Sequence, residues 1–329
     1  MSTSAQLPRL SIGSLGGTVS MQTVEPGGGV VPRLGCDDLL ASQQSLASMA
    51  RLRSADLCLV PSASLGFDQM IEVLDWARSE VERGAVGVVL TQGTDSLEET
   101  AWWLDLLWPF AAPLVLTGAM RPASQAGSDG PANLLAAAQV ALAEDSRGRG
   151  VQVVMNDQIH AAARVRKTDS LALMAFESPG FGPVGFVHEA LPLYRQRPEP
   201  RVTLPVPRHT RPRVALLEAC LDADTLLLDT IPELGYHGLV IAGFGAGHVS
   251  TRWADALERI ARQMPVVVAT RTGRGPTAKA TYGFSGGEID LLNRGMQMAG
   301  SLCPRKSRIL LWLLLANGME SSFSRFLPR

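Results

Sequence analysis

The sequence predicts an α/β protein. A large N-terminal domain, residues 1–193, carries a mostly parallel sheet covered by helices, and a smaller C-terminal α/β domain spans residues 213–329. Three observations carry this expectation. Short runs of Val, Leu and Ile alternate with longer amphipathic runs, and strands that are apolar throughout belong to parallel sheets covered on both faces. The stretch Tyr194–Pro212 (YRQRPEPRVTLPVPRHTRP) holds five Pro and five Arg. Proline at that density opposes both helix and central strand, so residues 194–212 are expected to be an extended linker. The length, 329 residues, lies above the usual size of one domain.

In chain order, the expected strands of the first domain are Arg9–Ile12, Asp56–Val60, Gly87–Leu90, Pro113–Leu116 and Val151–Met155. Each ends near Gly, Pro or Ser. Between them the expected helices are Asp37–Arg53, Phe67–Arg83, Ser96–Trp108 and Pro131–Glu144. After the linker the strands are Val214–Leu217, Gly238–Ile241 and Val266–Ala269, with helices over Thr251–Gln263 and Ser307–Leu315. Ligands of such sheets bind beyond the carboxyl ends of the strands. The loops after the first strands therefore matter most.

Composition narrows the function. A formal net charge of −1 argues against a dedicated nucleic-acid binder. Four cysteines (Cys36, Cys58, Cys220, Cys303) lie far apart with no CxxC or Cys/His cluster, so no structural zinc is expected. The longest apolar run, Ile309–Ala316, has 8 residues, far below the ~20 that cross a bilayer. The first residues, MSTSAQLPRL, hold no apolar core of signal-peptide length. A soluble, cytoplasmic protein without membrane or nucleic-acid partners is expected. Only three basic residues are lysines (Lys167, Lys279, Lys306), so a lysine inside a motif draws notice.

The first strand runs into Gly13-Ser14-Leu15-Gly16-Gly17-Thr18. It is neither GxGxxG nor a P-loop. It is a tight turn, or a place where paired glycines let the backbone approach a ligand and present the Thr18 hydroxyl as a nucleophile. The third strand ends in Thr91-Gln92-Gly93-Thr94-Asp95-Ser96-Leu97-Glu98-Glu99-Thr100. Asp95 is placed to cap the next helix, with Glu98 completing a capping-box-like pair. That leaves Gly93-Thr94 unexplained. A Gly-Thr before a helix N-terminus also offers backbone N–H groups to an oxyanion. Further loops hold Leu116-Thr117-Gly118-Ala119-Met120-Arg121-Pro122, then Gly127-Ser128-Asp129-Gly130-Pro131-Ala132-Asn133-Leu134, then Met155-Asn156-Asp157 and Arg166-Lys167-Thr168. Each alone is compatible with turn chemistry or a solvated basic turn.

Together, in this order, GGT, QGTDSLEET, LTGAMRP, SDGPANL, VVMND…RKT and SPGFGPVG resemble the bacterial-type L-asparaginases and glutaminase-asparaginases. The resemblance continues through Gly238–Gly247 and Thr281-Tyr282-Gly283-Phe284. It implies hydrolysis of L-asparagine to L-aspartate and ammonia through a covalent acyl-threonine, with no cofactor. Thr18 matches the nucleophile. Thr94, Asp95 and Lys167 match the family's second Thr-Asp-Lys constellation. Ser62 matches the serine that holds the substrate α-carboxylate, and Asp95 the carboxylate that takes the α-ammonium. Ala119 lies where a backbone carbonyl touches the substrate amide. Backbone N–H groups near Gly17 and Thr94 are placed to meet the tetrahedral oxyanion. The family forms homotetramers of close dimers, with each site between the large domain of one subunit and the small domain of its neighbour.

The sequence departs from the family pattern in that site. The loop Val19–Gly35 has no tyrosine, whereas typical members use one beside the nucleophile; the tyrosines here are Tyr194, Tyr236 and Tyr282. Leu15 replaces a hydroxyl residue, Ala63 a common Gln, Gln92 a His and His248 an Asn. The segment before Tyr282 is short and lacks the usual acidic residue. A weak or inactive asparaginase-like protein that binds or senses an amino acid, or one that hydrolyses a different amide, is the alternative. A nucleotide-binding oxidoreductase is disfavoured by the missing phosphate fingerprint. His160, His188, His209, His237 and His248 are scattered, as structural or surface residues are.

Overall fold

The computed structural model describes residues 6–23, 30–32, 35–41, 44–208 and 211–328. The chain divides into two compact units, Met1–Arg201 and Val202–Arg329. In the first, β1 (Arg9–Ser14) leads to an antiparallel hairpin, β2 (Met21–Thr23) and β3 (Val30–Pro32), and to short helices α1 (Cys36–Ala41) and α2 (Gln44–Met49). Then β4 (Arg51–Asp56), α3 (Phe67–Glu82), β5 (Gly87–Thr91), α4 (Leu97–Leu107), β6 (Leu114–Thr117), α5 (Gly130–Leu142) and β7 (Val151–Met155) alternate. Short strands follow: β8 (Gln158–Ala161), β9 (Arg166–Lys167), β10 (Phe176–Glu177), β11 (Gly185–His188) and β12 (Leu191–Tyr194).

The main sheet has the order β12-β11-β8-β7-β6-β5-β1-β4. β4, β1, β5, β6 and β7 are parallel; β8, β11 and β12 extend the sheet antiparallel. β5, β6 and β7 are buried along their whole length, as their unbroken Val/Leu runs require. α5 lays Leu134, Ala137, Val140 and Ala141 against Leu10, Ile12, Val89, Val115 and Val154. Its alanines let it approach closely: a Cβ on Gly87 would run into the carbonyl of Ala141.

Two expectations fail on this side of the sheet. Asp37–Arg53 is not one helix but α1, α2 and the start of β4, and the strand expected at Asp56–Val60 ends at Asp56. β4 is the sheet edge, with Arg51, Arg53 and Asp56 exposed. Charged side chains are normal on an edge strand but blur its strand pattern. Glu80 of α3 explains how that edge is held. Its fully buried carboxylate accepts from the Ser11 hydroxyl at 2.7 Å and pairs with Arg9 (3.2 Å), Arg53 (3.1 Å) and Arg83 (3.0 Å). One side chain thus ties β1, β4 and α3. Burial alone would raise its pKa; the Ser11 hydroxyl and the guanidiniums of Arg83, Arg53 and Arg9 overcome that and hold it below the ordinary value.

The short antiparallel strands β8, β11 and β12 are elements the apolar-run pattern does not reveal. Tyr194, expected to open the linker, is instead the last residue of β12. The boundary between the units falls at Arg201, inside the expected linker, and Arg201 is tied back to the carbonyls of Asp105 (2.8 Å) and Trp108 (3.0 Å).

The second unit is a parallel sheet of β13 (Val214–Glu218), β14 (Gly238–Gly243), β15 (Val266–Thr270) and β16 (Gln297–Met298), in that order. Its helices are α6 (Leu226–Thr230), α7 (Thr251–Ala261), α8 (Glu288–Asn293) and α9 (Pro304–Ala316). Trp253, Leu257 and Ile260 of α7 pack with Leu239, Ile241, Val266 and Val268. Ser250 caps α7 by accepting from the backbone N–H of Trp253. Among the described residues, no helix is long and apolar enough to cross a membrane.

Candidate active site

The chain leaves β1 for β4 on one side and returns to β5 on the other. Strand order therefore reverses between β1 and β5, the point of such a sheet beyond whose carboxyl ends ligands bind. The two loops at this point are Leu15-Gly16-Gly17-Thr18 and Gln92-Gly93-Thr94-Asp95.

The first loop is pinned where it starts. The N–H of Leu15 donates to the carbonyl of Thr91 at 2.8 Å. Gly16 and Gly17 have φ of 79° and 87°, a region that favours glycine. A Cβ on Gly17 would run into the backbone of Gly93, and one on Gly16 would lie 3.0 Å from the backbone of Val60. The turns thus touch backbone to backbone. Thr18 follows, half-buried, as the first residue of a 3-10 turn over Thr18–Ser20.

The second loop is anchored by the Gln92 N–H, which donates to Thr117 at 2.9 Å. A Cβ on Gly93 would lie 2.7 Å from the Ser62 hydroxyl, so Ser62 closes on the same spot. Buried Ser62 is held indirectly: the Gln92 amide donates to the Ser96 hydroxyl at 3.1 Å, and Ser96 donates to the Ser62 carbonyl at 2.7 Å.

Lys167 lies in β9, paired with Phe176 of β10. Its Nζ donates to Thr94 Oγ1 and to Asp95 Oδ1, each at 2.9 Å. Thr94 is buried, the Lys167 side chain is 16 % exposed, and that of Asp95 is 69 % exposed. An ammonium beside a buried hydroxyl lowers the cost of removing its proton. The structure therefore brings Thr94, Asp95 and Lys167 into one hydrogen-bonded set. Thr18 follows Gly17, whose backbone packs on that of Gly93 next to Thr94.

Asp95 does not cap α4. The N-cap position is Ser96, without a side-chain cap bond, and Asp95 turns to Lys167. Glu98 is not half of a capping box either. It is 2 % exposed and accepts the backbone N–H of Lys167 at 2.5 Å. A capping pattern and a lysine-holding pattern share the spacing Asp-x-x-Glu, and the sequence alone favours the commoner one.

Ala119 is buried in the turn after β6. Asp129 accepts from the N–H groups of Met120 and Arg121, and the Asn133 amide donates to the carbonyl of Gly118 at 3.0 Å. The SDGPANL segment thus holds the LTGAMRP turn. Among the described residues no group of three or more His, Cys, Asp or Glu could hold a metal ion.

The N-terminal domain model of the asparaginase family matches residues 9–199, and the glutaminase/asparaginase C-terminal domain model matches residues 213–324. The chain belongs to the asparaginase family. A probable periplasmic L-asparaginase of Haemophilus influenzae is 33% identical over 94% of this chain and 89% of that protein. A probable L-asparaginase of Deinococcus radiodurans is 35% identical over 95% of each. The crystal structure of a probable cytoplasmic L-asparaginase from Campylobacter jejuni superposes with a TM-score of 0.85, at 27% identity, over 96% of this chain and 99% of that one.

The departures from the asparaginase pattern sit at definite places. Leu15 and Gln92 are fully buried; Gln92 serves the Ser96–Ser62 relay. Ala63 is exposed next to Ser62. Residues 24–29 and 33–34 of the loop Val19–Gly35 lie outside the described residues. In the second unit His248 meets the fully buried Glu288 at 3.2 Å and packs edge-on against Tyr282 and Phe284. Burial would raise the Glu288 pKa, but the N–H groups of Tyr282 and Thr281 and the His248 ring hold it below the ordinary value.

Proposed function

We propose that this protein hydrolyses L-asparagine to L-aspartate and ammonia through an ester on Thr18. Thr18 Oγ adds to the carboxamide carbon, its proton passes to the departing nitrogen, and ammonia leaves. Water then cleaves the ester and frees aspartate and the hydroxyl. N–H groups at Gly17 and Thr94 receive the oxyanion, and one such donor is typically worth ~10²–10³ in rate. Thr94 and Lys167 handle the proton. Ser62 takes the α-carboxylate and the Ala119 carbonyl meets the amide. Asp95 gives one oxygen to Lys167 and keeps the other for the α-ammonium. The observation that carries this reading is the Lys167–Thr94–Asp95 set, with Gly17 packed on Gly93 at the point where strand order reverses.

The reading extends to a homotetramer, or at least a dimer, with 1–193 and 213–329 as domains around a 194–212 linker and the small domain of one subunit completing its neighbour's site. It also extends to a cytoplasmic location, the description of the Campylobacter relative rather than of the Haemophilus one. Light scattering tests the first; a monomer that still hydrolyses asparagine contradicts it. Cell fractionation tests the second.

Ammonia release over asparagine, glutamine and an amide without the α-amino group tests the activity. Asparagine is hydrolysed, with a Michaelis constant of about 1 mM or above. Asp95 is the acid matched to the α-ammonium, and Ala63 supplies no second contact; a charge-assisted hydrogen bond contributes roughly 1.5–3 kcal/mol. Thermal stabilisation by aspartate without ammonia release contradicts the reading and indicates an amino-acid sensor.

A further inference from the structure

The turn that carries Ser62 has few ties. The N–H groups of Leu57 and Cys58 donate to the Ser14 carbonyl at 2.9 and 3.3 Å, which fastens the chain to β1 just after β4. Regular helix resumes only at Phe67, the first residue of α3. Between these points lies the 3-10 turn Ser62–Ser64. Its own bonds run from the Ser64 N–H to the Pro61 carbonyl and from the Leu65 N–H to the Ser62 carbonyl. Among the described residues, one hydrogen bond joins Pro61–Leu65 to the rest of the chain: the Ser96 hydroxyl donates to the Ser62 carbonyl at 2.7 Å.

The direction of that link is forced. A carbonyl only accepts, so the Ser96 proton goes to Ser62, and the Ser96 oxygen is left to accept from a third group. Gln92 supplies the donor: its Nε2 reaches Ser96 Oγ at 3.1 Å and the Gly93 carbonyl at 3.4 Å. Gln92 is fully buried, and its Oε1 has no hydrogen-bond partner. A buried acceptor left unpaired is costly, so this side chain serves through its donor end alone. The Ser62 hydroxyl makes no hydrogen bond among the described residues, and a Cβ on Gly93 would lie 2.7 Å from it. The relay thus fixes the Ser62 backbone and leaves its hydroxyl unspent.

We propose that Gln92 and Ser96 are positioning residues that set the grip of the site on the substrate α-carboxylate, a role that rests on the assignment of Ser62 to that group in the reading above. Both act through Ser62. The α-carboxylate is remote from the reacting amide, so a displaced Ser62 weakens ground state and transition state alike. Such a loss raises KM and spares kcat.

Steady-state ammonia release from L-asparagine and from its methyl ester, which lacks the α-carboxylate charge, tests this. Gln92→Met keeps the side-chain length without the donor. Ser96→Ala cuts the same link at a position where no cap bond is lost. Each raises KM for asparagine about tenfold, changes kcat less than about threefold, and lowers the preference for asparagine over the ester about tenfold. The double variant is no worse than either single one. Gln92→His, whose ring N–H donates, returns KM to within about threefold of wild type. A general loosening of the site would slow both substrates equally and leave the preference where it was. Near-UV circular dichroism checks the fold; should Gln92→Met misfold, Ser96→Ala carries the comparison. Wild-type KM and preference in folded Ser96→Ala overturn the proposal and leave the asparaginase reading intact. A wild type that releases no ammonia from asparagine overturns that reading and the proposal with it.

Discussion

Lys167 meets two demands at once: its Nζ must reach Thr94 Oγ1 and its backbone must stay where that reach is 2.9 Å. Glu98 meets the second by accepting the Lys167 N–H. Thr94 and Lys167 are proposed to act as one proton-handling unit, so Thr94→Val and Lys167→Met should each cost about as much as the double variant. Independent, multiplying losses in kcat would show that Lys167 is structural. Glu98→Gln keeps an acceptor oxygen for the Lys167 N–H and should retain most activity; Glu98→Ala should lower kcat at least tenfold with little change in KM. Equal kcat in the two Glu98 variants would remove Glu98 from the account. The role of Glu98 was legible only as a capping pattern, because a buried carboxylate 69 residues from its partner leaves no local trace. Thr94, Asp95 and Lys167, which hydrogen bonds join, were legible as a set through ordered motifs, and hardly at all one by one. At the α-amino end, Ala63→Gln restores a side chain beside Ser62 and should lower the Michaelis constant for asparagine more than it changes kcat; the reverse pattern in steady-state kinetics contradicts the weak-grip argument.

At the scale of elements, β1 carries the Gly16-Gly17-Thr18 turn at one end and the Glu80 cluster at the other. Glu80 has its pKa depressed by Ser11, Arg83, Arg53 and Arg9 against its burial. A depressed carboxylate stabilises the fold at pH values above its unfolded pKa and loses that contribution as the pH falls through the folded one. Thermal stability should therefore drop below about pH 4.5, the ordinary value. Glu80→Gln should be less stable at pH 7 and lose less between pH 5 and pH 3. Parallel melting curves for the two proteins would contradict this. The parallel strands were legible because burial on both faces leaves a continuous apolar run. β4 was not, because an edge strand that carries Arg51 and Arg53 lacks an apolar run and reads as the end of a helix. β8, β11 and β12 were hidden because their antiparallel pairing needs only four residues each and tolerates exposed Leu191 and Leu193.

For the whole molecule, the strand order places the GGT and GTD turns at the point where it reverses, and the glycines let them touch. The account requires that this contact serves covalent chemistry on Thr18. A half-buried hydroxyl after two glycines carries little packing, so Thr18→Ala should melt within a few degrees of wild type while its turnover falls by several powers of ten. The most direct test is acid-quenched mass spectrometry of the protein during turnover of asparagine. An aspartyl group esterified to the peptide that carries Thr18, present in wild type and missing in Thr18→Ala, is the predicted result. Steady ammonia release with that peptide unmodified, and undiminished release by Thr18→Ala, would contradict it.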